Sequence, residues 1–123
     1  MKEGFWYFAH PYTGKDDEGR NIHSGEEANF NLCCIRAAEL IKRGYLFFAP
    51  VCHSHPIHIR YPEFLKNDEY ELWMTLDGEF HKRTQFTGII LAPKWETSHG
   101  CAREKQDFEK RGLEVLFYED LVK

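Results

Sequence analysis

Short apolar runs alternate with longer amphipathic stretches along this chain, and most of the runs are cut by a residue that cannot continue them. Phe5-Trp6-Tyr7-Phe8-Ala9 stops at His10-Pro11, Tyr45 to Val51 meets Pro50, and Gly88-Ile89-Ile90-Leu91-Ala92 stops at Pro93. Leu113 to Phe117 is a fourth run, followed by a short terminal turn. Short runs of aromatic and branched residues bounded by Pro or Gly read as strands. Near-continuous apolarity is the pattern of a strand buried on both faces.

The stretches between them carry helical periodicity. Ser24-Gly25-Glu26-Glu27 opens a helix to about Arg43, with Phe30, Cys34, Ala37, Ala38 and Ile41 as its stripe and Gly44 as its stop. Glu63 to Lys82 is a second helix, with Leu65, Leu72, Trp73, Leu76 and Phe80 facing inward. Ser98 or His99 caps a third, which continues to Arg111 and is closed by Gly112. Thr13 to Gly25 and His53 to Pro62 read as irregular stretches. Strands alternating with helices predict right-handed βαβ units, a parallel sheet and helices on both its faces. Ligands of such sheets sit beyond the carboxyl ends of the strands. His10-Pro11-Tyr12, Pro50 to His58 and Trp95 to Gly100 all emerge there, and are expected to form one site.

Composition removes several function classes. A chain of 123 residues has the size of one domain, spanning 1–123, and its 42% apolar and 15% aromatic content excludes a disordered tail. The net charge is −4, with basic residues scattered, which argues against nucleic acid as a partner. No apolar run is long enough to cross a membrane, and Met1-Lys2-Glu3-Gly4 enters the first strand without a signal-peptide core. Cys33, Cys34, Cys52 and Cys101 have neither zinc-site nor disulfide-framework spacing. Adjacent Cys33 and Cys34 point to different sides of a helix, so all four read as reduced, core-facing thiols in a cytoplasmic protein.

The segment Lys94-Trp95-Glu96-Thr97-Ser98-His99-Gly100-Cys101-Ala102-Arg103-Glu104 is the most informative. A strand enters a Ser-x-Gly turn and a helix starts, so free N–H groups and the helix dipole favour an anion there. Ser98 adds a hydroxyl, and serves equally as a plain helix cap. Glu104, one and a half turns on, is either a nucleophile or base facing the same pocket, or a solvated carboxylate. Asp77 sits beside an apolar stripe, where partial burial and full exposure are both open. Trp95 and Tyr12 can stack on a planar base or belong to the core. His53-Ser54-His55-Pro56-Ile57-His58 places His53 and His55 on one face if extended, a metal motif that lacks its carboxylate. The alternative is a loop that lines substrate or has only a structural role.

Taken together, four blocks resemble the nucleoside 2-deoxyribosyltransferase-like superfamily, and within it a branch of small bacterial and phage proteins. They are Tyr7-Phe8-Ala9-His10-Pro11-Tyr12, Gly44 to Pro56, Trp73 to Asp77, and Trp95-Glu96-x-Ser98-x-Gly100-x-x-x-Glu104, in family order and spanning nearly the whole chain. The resemblance implies a flavodoxin-like (Rossmann-like) three-layer α/β sandwich with four or five parallel strands. It implies cleavage of the N-glycosidic bond of a (deoxy)nucleoside or its 5′-monophosphate. The residue matching Glu104 attacks the anomeric carbon, that matching Asp77 assists near the leaving base, and that matching Tyr7 orients the glutamate. An oxocarbenium-like transition state suits such a carboxylate pair. Serine at position 98, where nucleoside-specific relatives are acidic, favours a monophosphate, with Arg103 or Arg60 as the counter-cation.

The three loops at the strand ends, taken with the resemblance, give a substrate-binding set of Ser98, Gly100, His10, Pro11, Tyr12, His53, His55 and Trp95. No cofactor and no metal is required, because the carboxylate carries the glycosyl group. The resemblance further implies a homodimer or higher homo-oligomer. His10 and Thr87 depart from the family pattern: the first crowds the first loop, the second affects packing. Two other readings compete. One is a nucleotide-binding or sensing module without turnover; the other is a hydrolase with a metal on His53, His55 and His58.

Overall fold

Every residue of β1 (Trp6–Ala9) is buried, and its alternation divides the core in two. Side chains on a strand point alternately to opposite faces. Trp6 and Phe8 accordingly join Cys33, Ala37, Leu40, Tyr45 and Ile90 on one side. Tyr7 and Ala9 join Phe86, Ile89, Leu91, Cys101 and Phe108 on the other. The computed structural model of the protein describes residues 2–15, 21–22, 25–60 and 69–123.

The remaining elements are β2 (Gly14–Lys15), β3 (Asn21–Ile22), α1 (Glu26–Lys42), β4 (Phe47–Phe48), α2 (Pro50–His58), α3 (Glu69–Arg83), β5 (Gly88–Leu91), α4 (His99–Lys110), β6 (Glu114–Phe117) and α5 (Tyr118–Leu121). Four strands form one all-parallel sheet in the order β4-β1-β5-β6. Tyr7 pairs with Phe48 on one side and Ile89 on the other, and Ile89 with Val115. Counting sheet strands alone, the order is 2-1-3-4, so the chain reverses direction across the sheet at β1. The first face is covered by α1, α2 and α5, and the second by α4 and α3, giving three layers. Among the described residues no helix is long and apolar enough to cross a membrane.

Two glycines end helices in the same way. Gly44 (φ +92°) follows α1, and the Gly44 and Tyr45 N–H groups close back on Ile41 and Leu40. Gly112 (φ +71°) follows α4, with Gly112 and Leu113 closing on Glu109 and Phe108. This pairing satisfies the last carbonyls through a left-handed residue and packs the apolar residue beyond it against the helix. Each stop thus aims the chain into the next strand. Gly88 meets a different demand: a Cβ there would run into the Glu114 carbonyl and the Trp6 ring.

Several expectations from the sequence need correction. The stretch from His53 is helical as far as His58, because Pro50, which ends the strand, also starts α2 with Ala49 extended before it. Proline suits the first helical position, where its fixed φ helps and its missing N–H costs nothing. The Thr13–Gly25 stretch includes the two-residue antiparallel pair β2–β3. On α1 the buried residues are Cys33, Ala37 and Leu40, whereas Ala38 and Ile41 are exposed, Ile41 at 65%. Leu72 is exposed on α3 as well. Ser24, the start of the second helix at Glu63, and Leu65 lie outside the described residues.

Candidate active site

Residues from three elements meet on the second face of the sheet. Tyr7 of β1 supplies the floor and is 1% exposed. From α3, Asp77 and His81 stand one turn apart on the same side, as an i, i+4 pair must. The His81 ring lies 4.5 Å from the Tyr7 ring. From α4, Cys101 and Glu104 project toward the same place, followed by the buried Phe108. A carboxylate only accepts hydrogen bonds, so His81 Nε2 donates to Glu104 Oε2, at 3.3 Å. Its Nδ1 is buried without a hydrogen-bond partner among the described residues. The Glu104 and His81 side chains keep 24% and 20% of their surface exposed, so both can be reached from solvent.

The electrostatics follow from packing carboxylates over a buried phenol. Burial first, and then the Glu104 charge, push Asp77 up to about 6, with His81 opposing. A carboxyl group in that range can hold a proton near neutrality and give it up. Burial, the negative charges of Glu104 and Asp77, and a hydrogen bond with Glu104 drive Tyr7 well above the ordinary phenol range. Tyr7 therefore stays a neutral donor facing an anion. Burial also pushes the Cys101 thiol up to about 12, which keeps it protonated. The constellation thus holds an ionisable carboxylate reachable from solvent, a neighbouring carboxyl able to donate, and a phenol and an imidazole that fix the first.

Ser98 has an extended backbone and accepts from the Cys101 N–H at 3.3 Å, so it is the cap of α4. Gly100 is exposed, and a Cβ there would meet only Ser98 Oγ, at 3.9 Å. The first N–H groups of a helix have no partner within it, so the turn opens onto space with donors showing. Arg103 is exposed and lines a shallow depression with Glu96, His99, Ala102 and Gln106. That face of α4 is turned away from Glu104. Arg60 is exposed too, and donates to the Pro56 carbonyl at 2.9 Å. Neither arginine is brought to Ser98. Trp95, half-buried in a 3₁₀ turn, packs near Phe117 at 6.1 Å with the Lys105 ammonium 5.4 Å over its ring.

The other expected site residues do not gather round Glu104. His10 belongs to the first face of the sheet, against Phe8, and is 5% exposed. Its Nδ1 donates to the Pro11 carbonyl at 2.8 Å, and its Nε2 accepts from Arg36 at 2.8 Å. These partners fix the neutral tautomer, and burial lowers its pKa to about 4. Pro11 is buried beside it. Tyr12 donates its hydroxyl to His55 Nδ1 at 2.7 Å, and His55 Nε2 donates to Glu27 at 2.7 Å. His55 stacks on Phe30 at 4.4 Å and is 3% exposed. Burial, Glu26 and Glu27 raise Tyr12. His58 pairs with Glu26 at 3.3 Å.

His53 points elsewhere. It is exposed and lies against Phe48 and Phe80 on the second face, the same side as Asp77 and Tyr7. A helix turns residues 53 and 55 to nearly opposite sides, so the extended-strand reasoning behind the metal motif does not apply. Among the described residues no group of three or more His, Cys, Asp or Glu is arranged to hold a metal ion.

Sequence reading missed His81 and Cys101. The spacing of His81 four residues after Asp77, on a helix already suspected of carrying a catalytic carboxylate, was the available signal for the first. Cys101 sits three residues before Glu104, on the same helix face. The search of curated proteins finds no match. A family model described as "Domain of unknown function (DUF1937)" matches residues 4–120, which cover all three elements of the site. The chain belongs to the DUF1937 family.

Proposed function

We propose that the chain cleaves the N-glycosidic bond of a (deoxy)nucleoside or its 5′-monophosphate, with Glu104 as nucleophile. The observation that carries the reading is the carboxylate pair Glu104 and Asp77 above the buried Tyr7, with His81 on Glu104. The ordered sequence blocks that resemble the nucleoside 2-deoxyribosyltransferase-like superfamily support it. In this mechanism Glu104 Oε attacks the anomeric carbon as the C–N bond breaks, and the base leaves with the Asp77 proton. Water, or a second base, then displaces the glutamate, and Asp77 takes up the proton released. Tyr7 and His81 hold the attacking carboxylate in place. Retaining glycosidases use two carboxyl groups in the same way.

The phosphate belongs at the start of α4, where the Ser98 hydroxyl and the first N–H groups face open space above Gly100. No cation is needed from Arg103 or Arg60, since the helix terminus itself favours an anion. The partners in this reading are the small-molecule substrate and a second copy of the chain. Sedimentation of the purified protein tests the second, and a monomer at every concentration removes it.

Base release tests the reaction. The protein is incubated with nucleosides, 2′-deoxynucleosides and their 5′-monophosphates, and free base is read by chromatography. Release is expected from the monophosphates, and Glu104→Ala is expected to lower it by about a thousandfold or more while leaving the fold intact. An unchanged rate in the variant removes the mechanism. Saturable binding of monophosphates with no release would assign a binding module in its place.

A further inference from the structure

Three of the four cysteines meet where α2 crosses α1, on the first face of the sheet and away from Glu104. Cys52 Sγ lies 3.5 Å from Cys33 Sγ and 3.6 Å from Cys34 Sγ. Adjacent residues on a helix diverge by about 100°, and Cys52 drops into the angle between the two. All three are thiols in this structure. Cys33 is fully buried, whereas Cys34 and Cys52 each keep part of their surface. The cluster is therefore a buried thiol backing two that a small solute can touch.

We propose that Cys52 and Cys34 are a peroxide-reactive pair that closes reversibly into a disulfide joining α2 to α1. Cys52 is the attacking sulfur. It occupies the third position of α2, and no acidic residue stands in the first turn of that helix. A thiolate there is favoured by the positive end of the helix. Hydrogen bonding with Cys33 and with Cys34 favours it too, and lowers Cys52 to about 7 against the opposing effect of burial. Cys34 stays protonated at rest, held up at about 11 by burial and by its hydrogen bond with Cys52. A disulfide needs sulfurs about 2.0 Å apart, so side-chain rotation has only a short gap to close from 3.6 Å.

The oxidant is hydrogen peroxide. The Cys52 thiolate attacks one peroxide oxygen, the O–O bond breaks, and the departing oxygen leaves as water after taking up a proton. Cys52 is then a sulfenic acid. Cys34 loses its proton and attacks that sulfur, the S–O bond breaks, and the hydroxide takes the proton to give a second water. Two thiols and one peroxide thus yield one disulfide and two waters, and a thiol reductant reverses the change. Cys101 is buried against the second face and held protonated, so it takes no part.

The reduced protein is treated with hydrogen peroxide, free thiols are counted, intact mass is measured, and peptides are mapped without reduction. Two of the four thiols are expected to disappear, with a mass loss of two hydrogens and full recovery on reduction. Cys33→Ser should behave like the wild type. Cys34→Ser should form no disulfide and should hold a sulfenic acid on Cys52 that a diketone reagent traps. Four thiols surviving peroxide in the wild type would overturn the proposal, and that result depends on no variant. So would disulfide formation in Cys34→Ser, or cross-links between chains in place of the internal one.

Discussion

Asp77 is under strain of an electrostatic kind. Burial and the Glu104 charge hold its pKa at about 6, above its unfolded value of 3.8. A carboxyl group raised in this way favours the fold fully below the unfolded value and loses that contribution as pH rises through the folded one. Asp77→Asn should therefore melt at a higher temperature than the wild type at pH 7.5. The difference should shrink as the pH falls from 6 toward 4; a constant difference across that range would show that titration of Asp77 is not its source. If Asp77 is the proton donor, base release should decline as pH rises past about 6, and the Asn variant should lose that limb. That Tyr7, Asp77 and Glu104 stand close together was expected from the ordered motif blocks, which placed them in one site. His81 was not, since a histidine between Phe80 and Lys82 carries no signal until the helix brings its ring onto Tyr7. His10, Tyr12 and His55 were legible as an edge of the sheet but not as a separate network. The hydrogen bonds to Arg36 and Glu27 that use up their polar atoms join residues far apart in sequence.

At the scale of elements, α1 shows where periodicity fails. Apolar residues lie on several sides of this helix, so two stripes fit, and the sheet selects Cys33, Ala37 and Leu40. Leu40 is fully buried, and Leu40→Ala should cost about 2–5 kcal/mol in denaturant unfolding, whereas Ile41→Ala on the exposed side should cost little. Reversal of that ranking would mean that the helix is turned differently. Proline punctuation in α2 had two meanings, strand stop and helix start, and only the second keeps His53 and His55 apart. Strand β5 was plain from its apolar run, but the need for glycine at its start was not. Gly88→Ala should cost about 1–3 kcal/mol, because the obstruction is the backbone of β6 and the indole of Trp6, which cannot both retreat. A variant as stable as the wild type would show that β5 and β6 can part at that point.

For the whole molecule, the parallel α/β layering was readable from the alternation of strands and helices, while the strand order was not. Sequence order says nothing about which side of β1 the later strands join; the pairing of β1 with both β4 and β5 decides it. That position has a consequence for motion. A strand with partners on both edges and core on both faces gives up its amide hydrogens only when the molecule opens as a whole. Hydrogen exchange should therefore be slowest in β1 and β5, and faster in β6, whose end residues are exposed and whose middle ones are half-buried. Tyr7 is rooted in one of those slowest strands, so the floor of the site is a fixed datum. Any fitting of the site around a ligand falls to α3 and α4, which carry Asp77, His81 and Glu104 and can shift over that floor without breaking a single strand pairing.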